Sequence, residues 1–142
     1  MTPRSDAEFE AERIGSPSRA RHIDVRRTLY SFRHAGRGFA WALSSQANLR
    51  VHFLAAVVVL IGALLLRFSV LEFVGLVLCI AIVIAAELFN TTLEVLIDYA
   101  WPEHHPMIGR AKDVAAAAVM MAAAGAAVVG VLLFARHLFH LG

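Results

Sequence analysis

The chain of 142 residues is long enough for one domain. Its apolar content of 59% and mean hydropathy of +0.67 exceed the ~45–50% apolar content usual for soluble proteins, which excludes an ordinary soluble domain and reads as an integral membrane protein. Net charge is only +2, but nine of the 13 Lys and Arg residues precede Val51; that asymmetry puts the N-terminus in the cytoplasm, and with no recognised binding motif beside the arginines nucleic acid is not expected as a partner.

Residues 1–23 mix Pro, Ser, Arg and Glu without periodicity and read as a disordered tail, with no apolar core of the kind a cleavable signal peptide needs. From about Asp24 the pattern changes. Leu29, Phe32, Ala35, Gly36, Phe39, Ala40 and Leu43 recur at spacings of three and four while Arg26, Arg33 and Arg37 keep to the other side. This predicts an amphipathic helix in the headgroup region, with Tyr30 and Trp41 suited to the interface. Gln46 to His52 reads as a linker. Val51 to Leu66 is then apolar apart from His52, but at ~1.5 Å per residue it falls short of ~30 Å of hydrocarbon, so the span is expected to borrow residues at its N-terminal end.

A short outer turn over 68–72 precedes a second span, which starts near Val70, holds the lone cysteine Cys79 as a packing residue, and runs to about Ala100 before Pro102 and Pro106. Trp101 to Arg110 reads as a loop. The last span, Val114 to Phe134, is dense in Ala and Gly and is expected at the centre of a bundle. Arg136, His137 and His140 read as a polar tail rather than a metal site. The fold expected is therefore an all-α membrane protein, an N-terminal surface helix plus three transmembrane helices, with domain limits at 1–23, 24–135 and 136–142. Three short helices bury little surface, so an oligomer is the natural completion.

The chemistry concentrates in Glu87-Leu-Phe-Asn-Thr-Thr-Leu-Glu94-Val-Leu-Ile-Asp98. At about 100° per residue Glu94 and Asp98 fall within roughly 20° of the direction of Glu87, with Thr91 on the same stripe and Asn90 beside it. An acid inside a membrane span costs on the order of 3 kcal/mol on insertion scales, so a stripe of them must face protein, water, a cation or a substrate. One buried acid is often only a packing group; three with an amide alongside point to function. Lys112 supplies one positive charge against Glu87, Glu94, Asp98 and Asp113, and a hard divalent cation such as Mg²⁺ would balance the rest. Lys112 and Arg110 suit a polyphosphate, and Glu87, set deepest, suits the proton of a lipid hydroxyl. Base, metal-binding acid and phosphate-binding lysine are the parts of phosphoryl transfer. A proton- or cation-conducting bundle and a purely structural membrane protein are the other readings of the same stripe.

The stripe resembles the E-x-x-N-[ST]-[AT]-[IL]-E-x-x-x-D signature of the small bacterial diacylglycerol kinase and undecaprenol kinase family. Gly109-Arg-Ala-Lys112-Asp113 is similar to its A-K-D motif, and Ser31 to Gly38 and Asn48-Leu-Arg50-Val-His52 to its N-terminal elements. The resemblance covers roughly residues 26–134. It implies a homotrimeric ATP- and Mg²⁺-dependent lipid kinase of the bacterial inner or plasma membrane, with sites between protomers. By the same resemblance Glu87 is the general base and Asn90 positions the reacting groups. Glu94 and Gln46 are metal ligands, and Arg27, His34, Gln46, Glu94, Asp98, Glu103, His105, Lys112 and Asp113 line the nucleotide. Gln46 stands where the family usually has a second metal-binding Glu, which leaves a catalytically weakened relative as a further alternative, and the Tyr common at the position of His34 is absent. The Asn48-x-Arg50-x-His52 form and Asp113-Val-Ala-Ala lean toward undecaprenol over diacylglycerol.

Overall fold

The computed structural model describes residues 25–103 and 105–139; the expected N-terminal tail and His140 lie outside them. Four helices make up nearly all of this: α1 (Val25–Ser45), α2 (Ala47–Leu65), α3 (Val70–Ala100) and α4 (Pro106–Leu138), with no strand among the described residues. The last three are long and apolar enough to cross a membrane. Residues 1–35 and 36–142 form separate units, and α1 contributes to both.

In the first unit the described part is the beginning of α1. Leu29 and Phe32, expected on its apolar stripe, are exposed, as suits a helix whose apolar side meets lipid. In the second unit the end of α1 is anchored by a buried Ala42 and by an edge-on contact between Phe39 and Phe53 of α2, ring centroids 6.1 Å apart.

The linker expected over residues 46–52 shrinks to Gln46 alone, which holds extended backbone (φ −101°, ψ 118°). Residues 47–52 are helical because Leu49, fully buried, and Phe53 continue the apolar period of the span, and the Arg50 guanidinium donates to the Ser44 carbonyl at 2.8 Å across the break. The borrowing anticipated for α2 is what its 19 residues show, about 28 Å of helix.

At the far end α2 closes with paired 6→1 and 5→2 bonds, Phe68 N–H to the Ala63 carbonyl at 3.0 Å and Arg67 N–H to the Leu64 carbonyl at 3.1 Å, with Arg67 left-handed at φ 56°. Ser69 then caps α3 in a reciprocal box with Glu72. Close approach of α2 and α4 here depends on Gly62, where a Cβ would lie 2.9 Å from the ring of Phe134.

Three expectations are corrected. The loop 101–110 ends at His105, because Pro106 starts α4 rather than only stopping α3. At the first position of a helix the missing N–H of proline costs nothing, and the His105 ring Nδ1 accepts from Met107 N–H at 3.2 Å as a cap. Arg110, Lys112 and Asp113 are therefore helical. Within one chain the central helix is α3, packed on both α2 and α4; of α4 only Val119 is buried, and most of its small residues are uncovered. α4 also continues to Leu138, so Arg136 and His137 belong to the helix rather than to a tail. There Arg136 Nη1 and His137 Nε2 each reach a carboxylate oxygen of Glu72 at 3.2 Å, and the His137 ring stacks on Phe68.

Candidate active site

The 31 residues of α3 make about 46 Å of helix, well beyond ~30 Å of hydrocarbon. Counted from the capped Val70 end, α3 crosses that thickness in about 20 residues and emerges near Asn90. Glu87 then lies roughly 5 Å inside the hydrocarbon boundary, just below the headgroups, while Glu94 and Asp98 stand outside it. The same count from the other end of α4 brings Lys112 and Asp113 roughly 8–9 Å outside.

Burial follows this order. Glu87 is 3% exposed; Asn90 and Thr91 are buried, Glu94 is half-buried and Asp98 exposed. The Asn90 amide donates from Nδ2 to Glu94 Oε1 at 2.9 Å, which joins positions one turn apart. Its carbonyl Oδ1 is buried with no hydrogen-bond partner. Below them Asp98 on α3 pairs with Lys112 on α4, a contact across the helix pair that sets where the ammonium sits. One face of α3 thus presents a deep carboxylate, an amide and carboxylate beneath it, and a lysine anchored below.

Other predicted residues are distributed differently. Gln46 sits half-buried at the α1–α2 break, its side chain making no capping bond. Glu103 is exposed in the short loop, His105 caps α4, and Asp113 is exposed on the first turns of α4. His34 is exposed on α1, and the side chain of Arg27 lies outside the described residues.

Among the described residues no three His, Cys, Asp or Glu side chains converge as a ready-made metal site. The oxygens present nonetheless fit a hard cation: the unsatisfied Asn90 Oδ1 lies on the residue bonded to the Glu94 carboxylate, and Mg²⁺ takes one or two carboxylates with phosphate oxygens and water.

One residue near the site was seen in the sequence only as a break in an apolar run and as part of a motif. His52 of α2 brings Nε2 to 3.2 Å from Glu87 Oε1. It also stands at the inner end of a groove of about 730 Å³ between α2, α3 and α4, walled otherwise by apolar residues such as Ala56, Val59, Ile80, Val83 and Ala127, with Gly62 and Phe134 at its other end. The available signal was a histidine about one and a half turns inside a span, matched in depth to a carboxylate inside the next.

Fold and site together describe a multi-pass membrane protein whose polar machinery lies where the second span meets the third at one membrane face. The model of the prokaryotic diacylglycerol kinase family matches residues 33–134, and the chain belongs to this family of lipid kinases, for which ATP is the co-substrate. It is similar to the undecaprenol kinase of Bacillus subtilis, 36% identical over 111 residues that cover 78% of this chain and 90% of that one. It is also similar to the diacylglycerol kinase of Synechocystis sp., 38% identical over 103 residues, 72% of this chain and only 59% of that relative's length. The diacylglycerol kinase of Escherichia coli is 28% identical over 105 residues, 70% of this chain and 86% of that one.

Proposed function

We propose that the protein transfers the γ-phosphoryl group of ATP to the hydroxyl of a membrane lipid alcohol, with undecaprenol favoured over diacylglycerol. The observation that carries this is the place of Glu87: a buried carboxylate just inside the hydrocarbon boundary, beside the inner end of an apolar groove. A hydroxyl carried on a long apolar chain is the substrate whose reacting group reaches that depth. Family membership favours this reading over a proton- or cation-conducting bundle. The match along 90% of the undecaprenol kinase supports the polyprenol, as does the wall of the groove, apolar apart from His52, which offers little to the ester carbonyls of a glyceride.

Glu87 accepts the hydroxyl proton as the hydroxyl oxygen attacks the γ-phosphorus. Glu94, Asn90 Oδ1 and, from the α1–α2 break, Gln46 would hold Mg²⁺, which when bound offsets charge on the phosphate oxygens. Lys112, aimed by Asp98, holds the phosphates with Arg110 beside it, and Asp113, Glu103 and His105 take the rest of the nucleotide. The exposed small-residue face of α4 supports a homotrimer with sites completed by neighbouring protomers. A domain that begins at residue 24 and runs through the end of α4 at Leu138, and a cytoplasmic N-terminus in the inner or plasma membrane, complete the reading; Arg50, Arg110 and Lys112 lie toward the site end of the helices and Arg67 and Arg136 toward the other.

The test is purified protein with ATP and Mg²⁺ presented with undecaprenol and with diacylglycerol in the same detergent, following the lipid phosphate formed. A higher kcat/KM for undecaprenol is expected. A higher value for diacylglycerol overturns the choice of lipid, and no lipid phosphate from either overturns the reaction. Mixed oligomers of Glu87→Gln and Lys112→Ala protomers should recover part of the activity if sites are shared.

A further inference from the structure

Glu87 is held in an unusual way for a proposed base. Its carboxylate is almost entirely out of water, and the group that reaches it comes not from α3 but from α2, through His52. The imidazole is 29% exposed, and it alone breaks the apolar lining of the groove, so it faces both the carboxylate and the space that an acceptor chain would fill. Phe53 and Leu54 beside it are exposed to lipid and Val51 is exposed as well, so an apolar residue at position 52 would satisfy packing at no desolvation cost.

We propose that His52 is a positioning residue for the lipid kinase reaction: its Nε2–H holds Oε1 of Glu87, so that Oε2 is the oxygen presented to the acceptor hydroxyl at the end of the groove. This rests on Glu87 being the base. A carboxylate on three rotatable bonds in an apolar setting has two equivalent oxygens and no preferred direction; a donor on one of them removes both freedoms. The 3.2 Å separation is the loose geometry that such pairs show before substrates bind and tighten them. In the step itself the hydroxyl O–H bond breaks and its proton goes to Oε2. The hydroxyl oxygen bonds to the γ-phosphorus, and the bond from that phosphorus to the β–γ bridging oxygen breaks, ADP leaving with the electron pair.

His52→Leu keeps a side chain of similar size and removes the donor, whereas His52→Gln keeps an N–H at comparable reach. A misplacement of about 1 Å at the reacting centre costs on the order of 10²-fold, so His52→Leu is expected to lower kcat by about that factor with the KM for ATP unchanged. His52→Gln should recover at least about tenfold of that loss, which a packing role would not produce. Melting temperature and size-exclusion profile are measured on each; if Leu destabilises the protein, His52→Met replaces it in the same comparison. A kcat within twofold of the parent in a folded Leu or Met variant, or a Gln variant no better than they are, overturns the inference. Glu87→Gln in the same assay separates the two layers. An active Glu87→Gln enzyme removes the base and this inference with it, whereas an inactive one beside a fully active His52→Leu leaves the base standing and removes only the positioning role. In the double variant, His52→Leu should cost nothing further once Glu87 is Gln.

Discussion

Replacing Glu87 by Gln tests the site at its deepest point. The amide fills the volume of the carboxylate at a position 3% exposed, so no cavity or clash arises. The contact with His52 at 3.2 Å is then made to a neutral amide oxygen instead of a carboxylate. Against that, an acid inside the hydrocarbon boundary costs up to about 3 kcal/mol on insertion scales, and the cost disappears with the charge. Folding stability is therefore expected to hold or rise. Proton acceptance is lost altogether, and a positioned general base contributes about 10²- to 10⁴-fold, or about 2.7–5.4 kcal/mol of barrier. Glu87→Asp keeps the base but draws the carboxylate back toward α3 by roughly one carbon–carbon bond, enough to cost on the order of 10²-fold through misplacement. The order of kcat should be Glu, then Asp, then Gln, with melting temperatures rising or level across the series. The assay is lipid phosphate formed at saturating ATP and lipid, beside size-exclusion profiles and thermal melts. A Gln variant within tenfold of the parent in kcat, intact and folded, would refute the base; an activity loss tracked by loss of assembly would refute the claim that the site and the fold are separable there.

Asp98→Asn breaks the pair with Lys112, both groups partly in water, so stability should change by less than about 1 kcal/mol while the KM for ATP rises several-fold in steady-state assays. Ser69→Ala removes the cap of α3 and should cost about 1 kcal/mol, read as a lower melting temperature with kcat unchanged because the cap lies at the opposite end of α3 from Glu87. Glu72→Gln loosens the joint with Arg136 and His137 at the same end and should likewise lower the melting temperature without altering the KM for ATP. Gln46→Glu adds a charged oxygen ligand and should lower the Mg²⁺ concentration giving half-maximal activity; an unchanged or higher value in a titration at saturating ATP rules out the missing-ligand account.

The spans were legible in the sequence because lipid imposes one rule on every residue that touches it. An uncharged run from Phe73 to Ala86 has no alternative to a helix, since every backbone group in hydrocarbon must be bonded within its own segment. The acid stripe was legible for the same reason: its 3.6-residue geometry is local to α3, so the order Glu87, Asn90, Glu94, Asp98 from hydrocarbon outward could be read without any tertiary contact. The start of α4 was not. Pro106 lacks an N–H whether it ends one helix or begins the next, and only the cap from His105 and the close return of the chain decided between them. Nor was the joint at Glu72, where a capping residue of α3 also receives Arg136 and His137 from the far end of α4. His52 and Glu87 belong to different helices, and no periodicity relates positions on separate helices. Their rotation about their own axes is set by how α3 packs on α2, and that packing turned a histidine in an apolar run toward the carboxylate at its depth.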